Sequence, residues 1–220
     1  MAAPDELPPL VEPYECTFDF QPGWVDLTLH QSTKAEARAL AAEIVKRLNP
    51  LSLEIENSAV FDDLADRAID LNANAPTLAA AYYSEAGEAL ANLRVDGYGD
   101  EGVPRPGADE VIPLILQWEN AEVVGKPDIR HVELPTGPAV RVHAMLKVKR
   151  MFGFGRKMAE FIKYVVFPPE MQTLIVVTVE WEKVALTEYI TELADEAVRT
   201  MRITPLASGG TTNTAGGGRG

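Results

Sequence analysis

Glu160-Phe-Ile-Lys-Tyr-Val-Val-Phe167, then Pro168-Pro-Glu170, then Gln172-Thr-Leu-Ile-Val-Val-Thr-Val-Glu-Trp181, decides the fold. The second run is dense in β-branched residues, which suit a pleated, buried strand better than a helix. The proline pair between the runs breaks any helix and marks a turn. The three pieces read as two antiparallel strands of one hairpin.

The same pattern recurs on the N-terminal side. Ile129–Leu134 and Ala139–Val148 flank Pro135-Thr-Gly-Pro138, and Thr77–Glu85 and Ala89–Tyr98 flank Gly87-Glu88. Tyr14, Cys16, Phe18 and Phe20 alternate with polar residues, a period of two that marks a half-buried strand. Trp24–Leu29 resumes the alternation loosely after Gln21-Pro-Gly23.

Helices read from a 3.6-residue period. Thr33-Lys-Ala-Glu36 is a capping box that opens a stripe of Ala37, Leu40, Ala41, Ile44, Val45 and Leu48. Asn57 or Ser58 caps a second helix, with Phe61, Leu64, Ala65, Ala68, Ile69 and Leu71 inward. Asp109 caps a third over Glu110–Glu119, with a buried strand as the competing reading of Val111–Leu116. Thr187 caps the last, Leu186–Met201, which Pro205 closes. Strands follow strands instead of alternating with helices. The expected class is therefore α+β, an antiparallel sheet built from hairpins with amphipathic helices packed on it.

The chain has 220 residues. Residues 1–13, with four prolines, read as a flexible lead, 14–206 as a single α+β domain, and the Gly-rich stretch 207–220 as a disordered tail. No basic n-region precedes an apolar run, and no apolar run is long enough to span a bilayer, so the expected location is cytoplasmic.

Twenty basic residues against 33 acidic ones give a net charge of −13. That charge disfavours nucleic acid and anionic membranes as partners. Cys16 is the single cysteine, so the chain forms no internal disulfide and no site needing two thiolates. An inert buried thiol is its expected state. Asp62, Asp63 and Asp66 read as a solvated helix face, and no phosphate-binding loop or nucleophile elbow is present. No catalytic residue, metal or cofactor is assigned. His131 and His143 are placed to face each other across their hairpin, a possible metal grip set against ordinary surface histidines.

One patch departs from the acidic background. Lys147 to Lys163 holds six basic residues and one acid, so this stretch is +5 and the remainder −18. Lys149, Arg150, Phe152, Phe154, Arg156 and Lys157 fall at the join of two strands. Arginine and phenylalanine together suit a docking loop for a protein partner. The opposing reading folds the loop back on the acidic surface.

Phe18-Asp-Phe20-Gln-Pro22-Gly23-Trp24 resembles the opening of the PsbP-like superfamily, and the order of elements over residues 14–203 is similar too. The resemblance implies a curved antiparallel sheet with helices on both sides. It also implies protein binding without shared catalytic residues. The expected function is a non-enzymatic interaction module, adaptor-like or secretion-chaperone-like. The alternative is a small-molecule binder or enzyme with a pocket between sheet and helices, lined by Tyr82, Tyr83, Trp118, His131 and His143.

Overall fold

In the computed structural model, residues 12–48, 57–99, 103–118, 121–149 and 156–206 are described. The three hairpins expected from the sequence form as β3 (Leu78–Tyr83) with β4 (Ala89–Tyr98), β5 (Ala121–Leu134) with β6 (Gly137–Lys149), and β7 (Arg156–Val166) with β8 (Leu174–Trp181). With the short β2 (Trp24–Asp26) they make a seven-stranded antiparallel sheet in the order β2-β3-β4-β8-β7-β6-β5. β8 pairs with β4 on one side and β7 on the other, so it joins the two halves of the sheet.

Strand alternation sorts the side chains onto two faces. On one face Leu93, Val95, Ile162, Tyr164, Val177 and Val179 meet α4 (Thr187–Thr200). This helix buries Ile190, Leu193, Ala194, Ala197 and Val198. Each large apolar residue so buried contributes roughly 1.5–3 kcal/mol relative to exposure. On the other face α1 (Lys34–Leu48) and α2 (Asn57–Leu71) cover Val25, Leu27, Ala79, Ala81 and Tyr83. Farther along, α3 (Ala108–Ile115) packs Val111 and Ile115 against Val140, Val142, Leu146 and Phe161.

Local sequence explains the joints. Thr33 Oγ1 accepts the Glu36 amide as expected, while the Glu36 carboxylate takes the amides of His30 and Gln31 at 2.8 and 2.9 Å. Asn72 is buried and bridges α2 to the segment after β2, donating to the Leu27 carbonyl and accepting from the Leu29 amide. Gly23 has φ +102°, and a Cβ there would come within 2.5 Å of the Tyr82 ring, so only glycine fits this turn. Phe18, Phe20, Trp24, Tyr82 and Tyr189 then form a run of ring contacts, 5.0 to 6.0 Å between successive centroids, from the N-terminal segment across β3 to α4.

Tyr14–Phe20 is a strand over its first part only, β1 (Tyr14–Thr17), which pairs with β9 (Arg202–Pro205), a strand that follows α4 directly. Four residues after a long helix carry too little period to announce a strand. The cap of α4 is Leu186, not Thr187, whose hydroxyl donates to the Val184 carbonyl from the first helical position. The third helix starts from Gly107, not Asp109, and the Glu110 carboxylate accepts the Gly107 amide at 2.7 Å. Glu12 is fastened as well, its carboxylate accepting the Gln172 and Thr173 amides. Residues 1–11 and 207–220 lie outside the described residues.

Under α4, Arg141 donates two hydrogen bonds to Asp195, at 2.9 and 3.3 Å, and the Tyr164 hydroxyl donates to the same carboxylate. Arg141 keeps a second carboxylate, Asp128 at 3.7 Å, when Asp195 is removed, but loses both of its hydrogen bonds to Asp195. Asp195→Ala is expected to lose about 2 kcal/mol in urea unfolding at neutral pH. A loss under about 1 kcal/mol, the range of an exposed pair, would contradict a structural role for this network.

Candidate functional site

The helices do not cover their shared face completely. Between the α1/α2 pair and α3 a cleft of about 1230 Å³ opens over the middle of the sheet. Its floor comes from β4, β8, β7 and β6, and its wall from α3 and the segment that follows it.

Register fixes the floor. Arg94, Thr178 and Lys163 lie directly across from one another on β4, β8 and β7. Asp96, Val176 and Val165 form the next row on the same face. Val148 and Ala159 extend the floor toward the join of β6 and β7, and Leu174 extends it the other way. Over this floor stand Val111, Leu114, Ile115 and Trp118. Three of the large hydrophobics most open to solvent, Tyr98, Val103 and Leu114, are all cleft residues, each more than half exposed at 54%, 59% and 59%.

The polar groups of the floor are not equivalent. Arg94 is committed to Glu180 at 3.4 Å. Lys163 donates to the Ile115 carbonyl at 3.2 Å and sits 4.0 Å from the centre of the Trp118 ring. That carbonyl ends α3, so the ammonium meets the negative end of the helix. Among the described residues no carboxylate lies within 4.0 Å of the Lys163 ammonium. Burial pulls this ammonium down from 10.5 to about 8, with Arg94 adding to the shift and Glu180 and Asp96 opposing it. Burial also pushes the Asp96 carboxyl upward, against Arg94 and Lys163. The Trp118 indole N–H is buried without an acceptor.

Of the five residues expected to line a pocket, the cleft contains Trp118 alone. Tyr82 and Tyr83 are neighbours on a strand and point to opposite faces. Tyr82 bonds to Tyr189 and stacks edge-on to Trp24. Tyr83 donates to Asp63, which also holds Arg67, so this cluster ties α2 to the sheet. The histidines do not face each other. The register pairs His131 with Val140 and His143 with Asp128, an odd offset that sends the two rings to opposite faces. His131 lies 3.6 Å from Asp109, whereas His143 stacks on Trp181 beside Glu160. No group of three metal-ligating side chains occurs among the described residues. Cys16 is buried, and desolvation pushes its thiol up to about 12.

For the basic patch, the β6–β7 register pairs Lys149 with Arg156 and Val148 with Lys157. Lys157 forms an ion pair with Glu182. Arg150, Phe152 and Phe154 lie outside the described residues. Sequence reasoning missed Lys163, Arg94, Asp96, Thr178 and Glu180. The signal was a polar residue breaking each apolar strand at a position that alternation assigns to one face.

No family model matches the chain, and no curated protein matches it. Among solved structures it is similar to LpqN, involved in cell envelope biogenesis of Mycobacterium tuberculosis. The two share 11% identity and a TM-score of 0.46, over 88% of this chain and 86% of that one. A likeness at that level carries no inference about ligand or partner. No helix among the described residues is long and apolar enough to cross a membrane.

The folded chain binds the Lys163 proton less tightly than the unfolded chain, so this charge opposes folding at pH 7. The opposition fades as pH climbs from about 8 to 10.5. Lys163→Met is expected to be more stable than the natural chain at pH 7, with the difference shrinking across that window in urea titrations. A less stable variant at pH 7 would mean that the helix end and the indole outweigh burial.

Proposed function

We propose that this chain is a non-enzymatic binding protein whose central cleft takes the apolar body of a small molecule. The observation that carries this reading is the cleft itself, floored by the sheet and walled by α3, with apolar side chains at its rim. Small-molecule sites are concave, mostly apolar and furnished with a few polar groups, and this cleft has that composition. The sequence resemblance to the PsbP-like superfamily, whose members share no catalytic residues, is compatible with it.

The neutral, apolar dye Nile red is the probe. It is expected to light up on binding the natural chain in a one-to-one ratio. Ala159→Trp places an indole on the floor, and Leu114→Asp puts a charge on the exposed rim. Each is expected to weaken dye binding by on the order of tenfold while the thermal midpoint holds. A dark dye, or equal binding by both variants, would defeat the reading.

A second reading has an observation of its own. Lys149 pairs with Arg156 at the last described position of the β6–β7 ladder, and in the sequence the basic aromatic run falls between these two residues. There Lys149, Arg150, Phe152, Phe154, Arg156 and Lys157 would dock an acidic protein surface. Combined charge reversal of Arg150, Arg156 and Lys157 would then release the partner and leave Nile red binding in place.

A further inference from the structure

We infer that the occupant of the cleft is an anionic amphiphile, an apolar chain ending in an oxyanion that seats at Lys163 beneath Trp118. The inference rests on the cleft reading above and names the chemical class it serves.

Among the described residues the Lys163 ammonium has no carboxylate within 4.0 Å. Buried ammonium groups are ordinarily paired, because leaving water is costly for an ion. Lys163 is drawn into the cleft floor, yet among the described residues its hydrogen bond goes to a neutral carbonyl, Ile115 O at 3.2 Å. The charged groups that face it are Arg94 and Asp96 on β4 and Glu180 on β8. Glu180 is taken by Arg94. Asp96 lies one row along the strand from Lys163, its carboxyl raised by burial and lowered by Arg94 and Lys163. The Trp118 ring lies over the ammonium, 4.0 Å from it, while its own indole N–H is closed off from the cleft space. Lys163 is therefore the donor that a ligand reaches. A ligand oxyanion supplies the counter-charge it lacks, through a charge-assisted hydrogen bond stronger than a neutral one.

The apolar part of the cleft matches the rest of such a ligand. From Lys163 to Ala159 the strand advances about 13 Å, at roughly 3.3 Å per residue. Along that stretch the floor is Ala159, Leu146 and Val148, and the wall is α3. This is a track for an extended hydrocarbon chain, with the polar end at the lysine. A cationic head would meet like charge there. A neutral head would leave the ammonium without a counter-ion.

The test displaces Nile red from the full chain at pH 7 with four probes below their micellar concentrations: dodecanoate, dodecyl phosphate, dodecanol and dodecyltrimethylammonium. The two anions are expected to bind on the order of tenfold tighter than dodecanol, and the ammonium compound weakest. A preference confined to dodecanoate or to dodecyl phosphate identifies the head, and either supports the inference. Lys163→Met keeps the apolar stem and removes the charge. It is expected to level dodecanoate with dodecanol while dodecanol still binds. In the natural chain the same levelling is expected well above pH 8, as the ammonium loses its proton. Equal binding of dodecanol and the anions, or an anion preference that survives in Lys163→Met, overturns the inference and leaves the cleft reading standing. Failure of every probe and of Nile red itself overturns both.

Discussion

Backbone pairing along both edges of β8 joins the two halves of the sheet. Leu174–Trp181 pairs with β4 through seven residue positions and with β7 through seven. It is buried along nearly its whole length. Without it the N-terminal β2-β3-β4 unit and the C-terminal β5-β6-β7 unit would be two small sheets with open edges. Its β-branched side chains serve both faces at once. Ile175, Val177 and Val179 pack toward α4, while Val176 and Thr178 look into the cleft.

The two faces are covered in different ways, and that difference creates the site. α4 lies across the middle of one face and buries Ile190, Leu193, Ala194 and Val198 against it. On the other face the α1/α2 pair sits over β2 and β3, and α3 sits over β6 and β7. The junction strands between them are left without a helix. A sheet wider than its helical cover exposes its centre, and here that centre holds Arg94, Thr178 and Lys163 instead of a continuous apolar surface. Keeping a desolvated lysine in such a place works against stability, a trade that proteins make where a group serves binding.

The hairpins and helices were legible because their signals are local. Pro168-Pro169, the β-branched run Leu174–Val179 and the stripe Ile190–Val198 each announce an element within a dozen residues. The cleft was not legible, because it arises from pairing β4 with β8, about eighty residues apart in the chain. Until that pairing is known, Arg94 and Lys163 are two unrelated polar residues in apolar strands. Alternation sends Tyr82 and Tyr83 to opposite faces, which the pocket reading that joined them overlooked. The histidine pair failed on register, since shifting a hairpin by one residue sends a side chain to the opposite face. β9 failed on length, and the basic aromatic run rests on residues outside those described.

The three tryptophans offer the most direct measurement. Trp118 belongs to the cleft, whereas Trp24 and Trp181 are buried on the face beneath α4. Each indole N–H gives its own resonance in a nitrogen–proton correlation spectrum, so one titration with dodecanoate reports on both faces. The Trp118 indole resonance is expected to move progressively as ligand is added, while those of Trp24 and Trp181 stay in place. Movement of Trp24 or Trp181 with Trp118 unmoved would contradict it.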